Sequence, residues 1–305
     1  MSSSTNIEWT DASWNIFAGC TPVSAGCLNC YAATMAHRLE AMGQKKYKGL
    51  TVLNNGHRTF NGKINLDSDA ITIPLRWKKP RRIFVNSMSD LFHERSTFEF
   101  IDMVFAVMAL CQQHTFQVLT KRPKRMAEYL QRTGKSIEFL ESAAREIGYT
   151  FKFTDLDGRT HGMVPWPIPN IWLGTSVEDQ QTADSRIPHL LDCPAAVRFL
   201  SCEPLLGAIN LRLFSTGGLL NTHLVIVGGE SGPCARQCHV DWIRSIINQC
   251  KNTNVPVFVK QLGANPVLGF DGGISLKDLI KDRKGGNPEE WSNDLRVREM
   301  PEVRK

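Results

Sequence analysis

An α/β fold on a parallel sheet, closed into a barrel or partial barrel, is what this sequence predicts, and three observations predict it. Six short apolar runs, rich in β-branched and aromatic residues, recur along the chain. They are nearly continuous rather than alternating, the mark of strands buried on both faces of a parallel sheet. Segments of helical character separate most of them, as crossovers between parallel strands require. Almost every run also hands over to polar residues at its carboxyl end, where α/β architectures bind ligands.

In chain order, residues 14–17 predict a first strand. Residues 43–72 carry Gly43, Gly49, Asn54-Asn55-Gly56 and Asn61-Gly62, which predicts an insertion of loops and short strands. The six runs follow at 83–85, 116–119, 171–173, 197–200, 224–227 and 257–259, with helices expected over 96–113, 123–132, 180–191 and 240–251. A second insertion covers 134–169. It opens with a helix over 136–147 stopped by Gly148. Phe151 and Phe153 then alternate with polar neighbours ahead of Asp155, Asp157 and Gly158, a small hairpin. Pro165-Trp166-Pro167-Ile168-Pro169 makes a stiff entry to the next strand. One domain over 1–265 is expected, with 266–305 a C-terminal extension whose polar tail from Lys281 lies at the periphery.

Thirty-six Lys and Arg against 30 Asp and Glu give a formal charge of +6, with 42% hydrophobic and 22% charged residues. That balance is a globular protein's and excludes a disordered chain. No apolar run approaches the about 18–20 residues of a membrane span. The opening Met1-Ser2-Ser3-Ser4-Thr5-Asn6 lacks the basic-then-apolar order of a signal peptide, so a cytoplasmic protein is expected. Nine cysteines are an odd number without an export signal, which favours metal binding over disulfides. Cys20, Cys27 and Cys30 crowd into one short stretch, Cys234 and Cys238 form a looser pair beside His239, and Cys111 reads as helix packing.

The cysteine stretch places six residues between Cys20 and Cys27 and two between Cys27 and Cys30. The close pair lets two sulfurs reach one metal, and Gly19, Pro22 and Gly26 favour a loop that returns Cys20. Three thiolates on a four-iron cluster would leave one iron open to a ligand. The other reading is a structural zinc, with His37 or a distant Cys as fourth ligand. Cys234, Cys238 and His239 fit loop packing or an auxiliary metal site.

The strand ends read Asn86-Ser87-Met88-Ser89-Asp90, Thr120-Lys121-Arg122, Gly174-Thr175-Ser176-Val177-Glu178, Ser201-Cys202-Glu203, Gly228-Gly229-Glu230 and Lys260-Gln261. One such end is explained by helix capping; six in succession predict a pocket. Ser87, Ser89, Asp90, Ser176 and Glu178 are candidate cofactor contacts, because carboxylates suit an ammonium or ribose hydroxyls. Gly228 and Gly229 would let backbone approach a ligand closely. Lys121, Arg122, Glu203, Lys260 and Gln261 are candidates for substrate or cofactor carboxylates, and each fits a strand-end salt bridge equally well.

These residues carry a resemblance. Cys20-x6-Cys27-x2-Cys30 ahead of a succession of βα units is similar to a radical S-adenosylmethionine enzyme. More closely, the chain resembles the phage-associated three-cysteine-motif proteins, a radical-SAM-like family. The matching stretches are Asn6-Ile7-Glu8-Trp9-Thr10-Asp11, the cysteine loop, 84–93, 119–123, 228–232 and Lys260-Gln261. The resemblance implies a radical-SAM type of barrel with a 4Fe-4S cluster on Cys20, Cys27 and Cys30. The open iron would chelate S-adenosylmethionine, and one electron from a donor would cleave it to a 5′-deoxyadenosyl radical. Gly228-Gly229-Glu230 looks like the family's glycine-glycine-glutamate contact to the cofactor's amino group, placed later in the chain. The spacing departs from the commonest pattern, which has three residues between the first two cysteines and an aromatic before the third.

Charge clusters suggest the substrate. Arg76, Lys78, Lys79, Arg81 and Arg82 surround Trp77, Lys121, Arg122, Lys124 and Arg125 form a second group, and Lys45, Lys46 and Lys48 flank Tyr47. Basic groups interleaved with aromatics suit phosphate contact and base stacking. The expectation is an iron–sulfur enzyme modifying a nucleobase, in DNA ahead of RNA, with a modified thymine in phage DNA suiting the family's setting; a base in a duplex would have to be extruded. The alternatives are a non-catalytic nucleic-acid-binding protein with a structural zinc or cluster, and a radical enzyme acting on a small metabolite.

Overall fold

Seven parallel strands form one sheet whose spatial order equals chain order: β1 (Ala12–Trp14), β2 (Arg82–Val85), β3 (Thr115–Thr120), β4 (Ile171–Ser176), β5 (Val197–Cys202), β6 (Leu224–Gly228) and β7 (Val257–Gln261). The sheet curls into a half-barrel flanked by helices, an α/β partial barrel. This computed structural model describes residues 5–133, 138–151, 153–154, 160–161, 166–211, 221–269 and 273–302.

The helices are α1 (Tyr31–Ala41), α2 (Phe98–Leu110), α3 (Pro123–Thr133), α4 (Glu138–Glu146), α5 (Gln180–Leu191) and α6 (Val240–Lys251). α2 starts where Thr97 accepts from the Phe100 N–H, and α5 starts at a capping box between Asp179 and Thr182. α4 ends at Gly148, whose φ of 84° suits glycine. Phe153–Thr154 and Thr160–His161 pair antiparallel as expected, while Asp155, Asp157, Gly158, Pro165 and the start expected for α4 at 136 lie outside the described residues.

Alternation along the strands divides the core in two. Ile83, Val85, Phe116, Val118, Ile171 and Leu173 join the large core under the helices. Their neighbours Phe84, Trp172, Phe199, Ile226 and Phe258 form a smaller aromatic cluster that also takes in Trp9, whose ring lies 4.8 Å from Phe84 and 6.2 Å from Phe199. Ile7 and Met300 pack on the same cluster. An ion pair of 2.5 Å between Lys284 Nζ and Glu8 Oε1 ties the segment before β1 to the stretch following β7. The two edges of the half-barrel are thus joined by the chain's two ends.

Three expectations need correction. The first strand is Ala12–Trp14, not 14–17. Asn15 leaves the ladder to accept from Ser87 Oγ and the Met88 N–H, both at 3.1 Å, and Phe17–Ala18 pairs instead with Asn65–Leu66. No element was expected over 31–41, yet α1 lies there; its buried face is Ala32, Ala33 and Ala36, too small to give a strong apolar period. The tail from Lys281 is not peripheral. Trp291 and Leu295 are buried in the main core, and Val297 O accepts from the Val259 N–H at 2.8 Å along edge strand β7.

Candidate functional site

A cavity of about 1100 Å³ opens at the carboxyl ends of the strands. Its wall includes Cys20, Cys27, Cys30, Ser87, Ser89, Asp90, Lys121, Arg122, Ser176, Glu203, Gly229, Glu230, Lys260 and Gln261. The sequence therefore named residues that the fold brings to one place. Glu178 and Gly228 are the exceptions and stand behind the wall.

The loop carrying the cysteines is held by four strand ends. After β2, His93 and Asp90 contribute. His93 Nδ1 accepts from the Arg95 N–H, so Nε2 carries the proton that it shares with Thr21 Oγ1 at 2.8 Å. Asp90 accepts from Thr120 Oγ1 at 2.7 Å, from the Lys121 N–H at 3.0 Å and from Arg122 Nη1 at 3.1 Å. Asp90 is thus saturated by donors of the β3 end and orients Arg122. The Arg122 guanidinium donates to Thr21 O at 3.0 Å, to Glu94 Oε1 at 2.7 Å and to the Cys20 sulfur at 3.7 Å.

Glu178, after β4, is completely buried and holds the middle of the loop. Ser24 Oγ donates to its Oε1 at 2.9 Å, Arg186 Nη1 donates to both oxygens, and Lys121 Nζ closes on Oε1. Gly26 packs directly on the same side chain. Glu178 was expected to meet a cofactor; the structure assigns its carboxylate to the loop and to two cations, because burial demands that every lone pair be satisfied.

Glu230, after β6, holds the end of the loop. Its carboxylate accepts from Asn29 Nδ2 at 3.0 Å and from the N–H, Nε and Nη2 of Arg236. Arg236 also donates to Ala25 O at 3.0 Å. Burial works to raise the Glu230 carboxyl, and these hydrogen bonds outweigh it, so the group titrates below the ordinary glutamate value. The acid expected at a cofactor's ammonium here grips the residue before Cys30. Gly228 was expected to meet a ligand, but it sits beneath Glu203 and Gln261, where a β-carbon would lie 3.0 Å from Glu203 Oε1.

Burial pushes the Cys20 thiol up to about 12; Asp90 adds to this, Arg122 opposes it, and Cys30 and Cys27 raise it further. Burial also raises Cys30, while the N–H groups of Ala33 and Ala32 at the start of α1 pull it back. The three thiols therefore share one wall and feel one another's charge. Among the described residues no set of three or more His, Cys, Asp or Glu side chains is arranged to hold a metal ion. The donor set nevertheless suits a cluster: three soft sulfurs from one clamped loop, a guanidinium on one, another at the N-cap of a helix, and cavity beyond them. Cys234 is exposed and Cys238 is buried, while His239 engages Gly269 O and stacks on Trp242 at 4.4 Å. That trio reads as packing.

Two strand ends take no part in the clamp. Lys260 after β7 pairs with Glu203 after β5 at 3.0 Å, and Ser201 Oγ donates to Glu203 Oε2 at 3.2 Å. Gln261 donates to Gly229 O at 2.8 Å. Ser87 and Ser89 spend their hydroxyls on Asn15 and on Phe17 O. The clamp residues Ser24, Asn29, Arg186 and Arg236 were missed because none belongs to a strand end: Ser24 and Asn29 meet partners 154 and 201 positions away, and Arg186 and Arg236, though only 8 and 6 positions from their carboxylates, carry no motif of their own. Glu8, Trp9 and Lys284 also line the cavity unannounced.

Part of each basic cluster is spent within the protein, while Arg76, Lys78, Lys79, Lys124, Lys45 and Lys48 are exposed. Arg122 and Lys121 serve the clamp, and Arg125 donates to Ser96 O and covers the Phe98 ring. Lys46 pairs with Asp67, and Tyr47 is buried rather than free to stack. Arg81 covers Trp77, and Arg82 pairs with Asp11, both at the amino ends of the strands, away from the cysteine loop.

A parallel α/β half-barrel with a clamped three-cysteine loop at its carboxyl ends is the class of protein this geometry defines. Residues 4–289 match a family described as Protein of unknown function (DUF5131), and the chain belongs to it. No curated protein and no solved structure matches the chain. Among the described residues, no helix is long and apolar enough to cross a membrane.

Proposed function

We propose that the protein is a radical-SAM-like iron–sulfur enzyme, akin to the three-cysteine-motif proteins it resembles and working in the reducing cytoplasm. The observation that carries this reading is the clamp: four strand ends converge on one loop and hold three thiols at the rim of a cavity of about 1100 Å³. Cys20, Cys27 and Cys30 would hold the 4Fe-4S cluster. Cluster and S-adenosylmethionine together would supply hydrogen abstraction through one-electron cleavage of the cofactor. The chain's own part is to fix the sulfurs, with Arg122 donating to Cys20 and Cys30 set at the N-cap of α1. Glu203, Lys260 and Gln261, free of the clamp, are the groups left to orient a substrate, and the aromatic floor of Trp9 and Phe84 excludes water.

A nucleobase, in DNA ahead of RNA, remains the proposed substrate on the strength of that aromatic floor and the polar wall above it. A small metabolite is favoured by a different observation: Lys46, Lys121 and Arg122 are committed to internal ion pairs and so are withdrawn from phosphate contact. Anaerobic purification with iron and sulfide analysis, followed by S-adenosylmethionine and dithionite, tests the enzyme reading. About four irons per chain, lost in Cys27→Ala, with 5′-deoxyadenosine formed, is the expected result. One zinc and no cofactor cleavage would leave the non-catalytic nucleic-acid-binding alternative.

A further inference from the structure

The insertion at 43–72 supplies none of the strand-end clamp, yet it meets the cysteine loop near both of its ends. The Gly62 N–H donates to Cys20 O at 3.0 Å, and His57 Nδ1 lies 2.8 Å from Asn29 Oδ1. Tyr47, Leu50 and Phe60 of the insertion pack with Ala32, Ala33 and Ala36 of α1 in a small core, and Cys20 and Cys30 lie against it. A tight hairpin delivers His57 to this place. Thr51–Asn54 and His57–Phe60 pair antiparallel, with Asn54 opposite His57. Only Asn55 and Gly56 stand between them, at φ of 47° and 80°. Two left-handed residues make a type I′ turn, whose twist matches that of the strands and leaves the hairpin little freedom.

The proton on the His57 contact can be assigned. Asn29 Nδ2 faces Glu230 Oε2 at 3.0 Å and Cys234 O at 2.9 Å. Both only accept, because the Glu230 carboxyl titrates below its ordinary value and is ionised at neutral pH. The amide nitrogen of Asn29 therefore lies on that side, its Oδ1 faces His57, and His57 Nδ1 carries the hydrogen. Asn29 is thus gripped from two elements, the insertion hairpin and the turn after β6. It stands in the two-residue spacer between Cys27 and Cys30.

We propose that His57 is a positioning residue for the thiols: its Nδ1–H locks the Asn29 amide against Glu230 and so sets the placement of Cys30 relative to Cys27. The insertion is then a working part of the cysteine site. The thiol geometry stands on these hydrogen bonds alone, while its effect on a bound cluster rests on the iron–sulfur reading above. A hairpin held only by its apolar packing would make the same contact without governing the thiols, and the two cases differ in what a replacement at 57 does.

The test uses the full chain with three replacements chosen by where they place a donor. In His57→Asn the amide nitrogen sits as many bonds from the backbone as Nδ1 does. His57→Gln carries its nitrogen one atom further out, and His57→Phe keeps a ring without a donor. Cys30 is alkylated with iodoacetamide in the metal-free protein without oxygen, and the modified peptide is quantified by mass spectrometry. Loss of one neutral hydrogen bond predicts about fivefold faster alkylation in His57→Phe and His57→Gln, with His57→Asn near the parent rate. In an Asn29→Ala background the three should no longer differ. In cluster-loaded protein the electron paramagnetic resonance spectrum of the reduced cluster should shift in the Phe and Gln variants and return in Asn. Alkylation of His57→Phe at the parent rate, or three variants that behave alike, overturns the proposal. So does a lowered thermal midpoint with alkylation and spectrum unmoved. If the parent protein assembles no cluster, the enzyme reading fails separately, and alkylation of the metal-free protein still decides the role of His57.

Discussion

Gly26 rests on the side chain of Glu178 so closely that a β-carbon there would come within 2.6 Å of its Cγ and Oε1. The carboxylate cannot retreat, because Ser24, Lys121 and Arg186 hold it from other sides. Gly26→Ala should therefore displace the loop and cost about 1–3 kcal/mol of stability. Urea unfolding of the metal-free protein reads the cost, and iron analysis of the reconstituted protein reads the lost geometry.

Removing the carboxylate itself is worse. Glu178→Ala would strand the buried Arg186 and the half-buried Lys121, a loss of about 3–5 kcal/mol for a broken buried pair. Glu178→Gln keeps an acceptor for Ser24 and Arg186 and should lose less. Equal losses in the two variants would show that the loop does not depend on this charge.

The Glu230 clamp predicts an acid-sensitive component of stability. Its carboxyl binds protons more weakly in the folded protein than its ordinary value of 4.5. The stability it contributes is complete above that value and is lost as pH falls through the lowered one. Denaturant midpoints should fall below pH 4.5, and Glu230→Gln should flatten that part of the profile.

The wall should divide by function. Arg122→Met leaves Asp90 and Glu94 without their cation and removes the donor at Cys20, so both stability and iron content should drop. Lys260→Met touches no loop contact and should keep iron at the parent level while changing ligand binding in the cavity. Iron loss in Lys260→Met would contradict this division.

Trp291→Ala tests the tail. The indole is buried in the main core and donates to Gly285 O at 3.1 Å, so truncation should cost about 3–5 kcal/mol, read as a lowered thermal midpoint. A tail that were peripheral would give almost no change.

Much of this architecture was legible because parallel strands buried on both faces write themselves as continuous apolar runs. All six runs became strands, and α5 and α6 fall at 180–191 and 240–251 as their patterns predict. The polar strand ends likewise revealed where the site lies. What each polar group does there was not legible. Asp90, Glu178 and Glu230 look like ligand contacts in sequence, and only the tertiary fold withdraws Glu178 behind the wall and commits the carboxylates of Asp90 and Glu230, which stay on the wall, to Arg122 and Arg236. α1 escaped notice because its buried face is alanine, and the tail because two apolar anchors in a polar stretch carry no period.

The Asn29–Glu230 hydrogen bond spans 201 positions of sequence. Translation at about 5–20 residues per second would take about 10–40 s to bridge that span. For that interval the ribosome has delivered all three loop cysteines without the arm that fastens them. A nascent chain thus carries reactive sulfurs in an unfinished cradle, so oxygen during synthesis should damage yield more than oxygen after release.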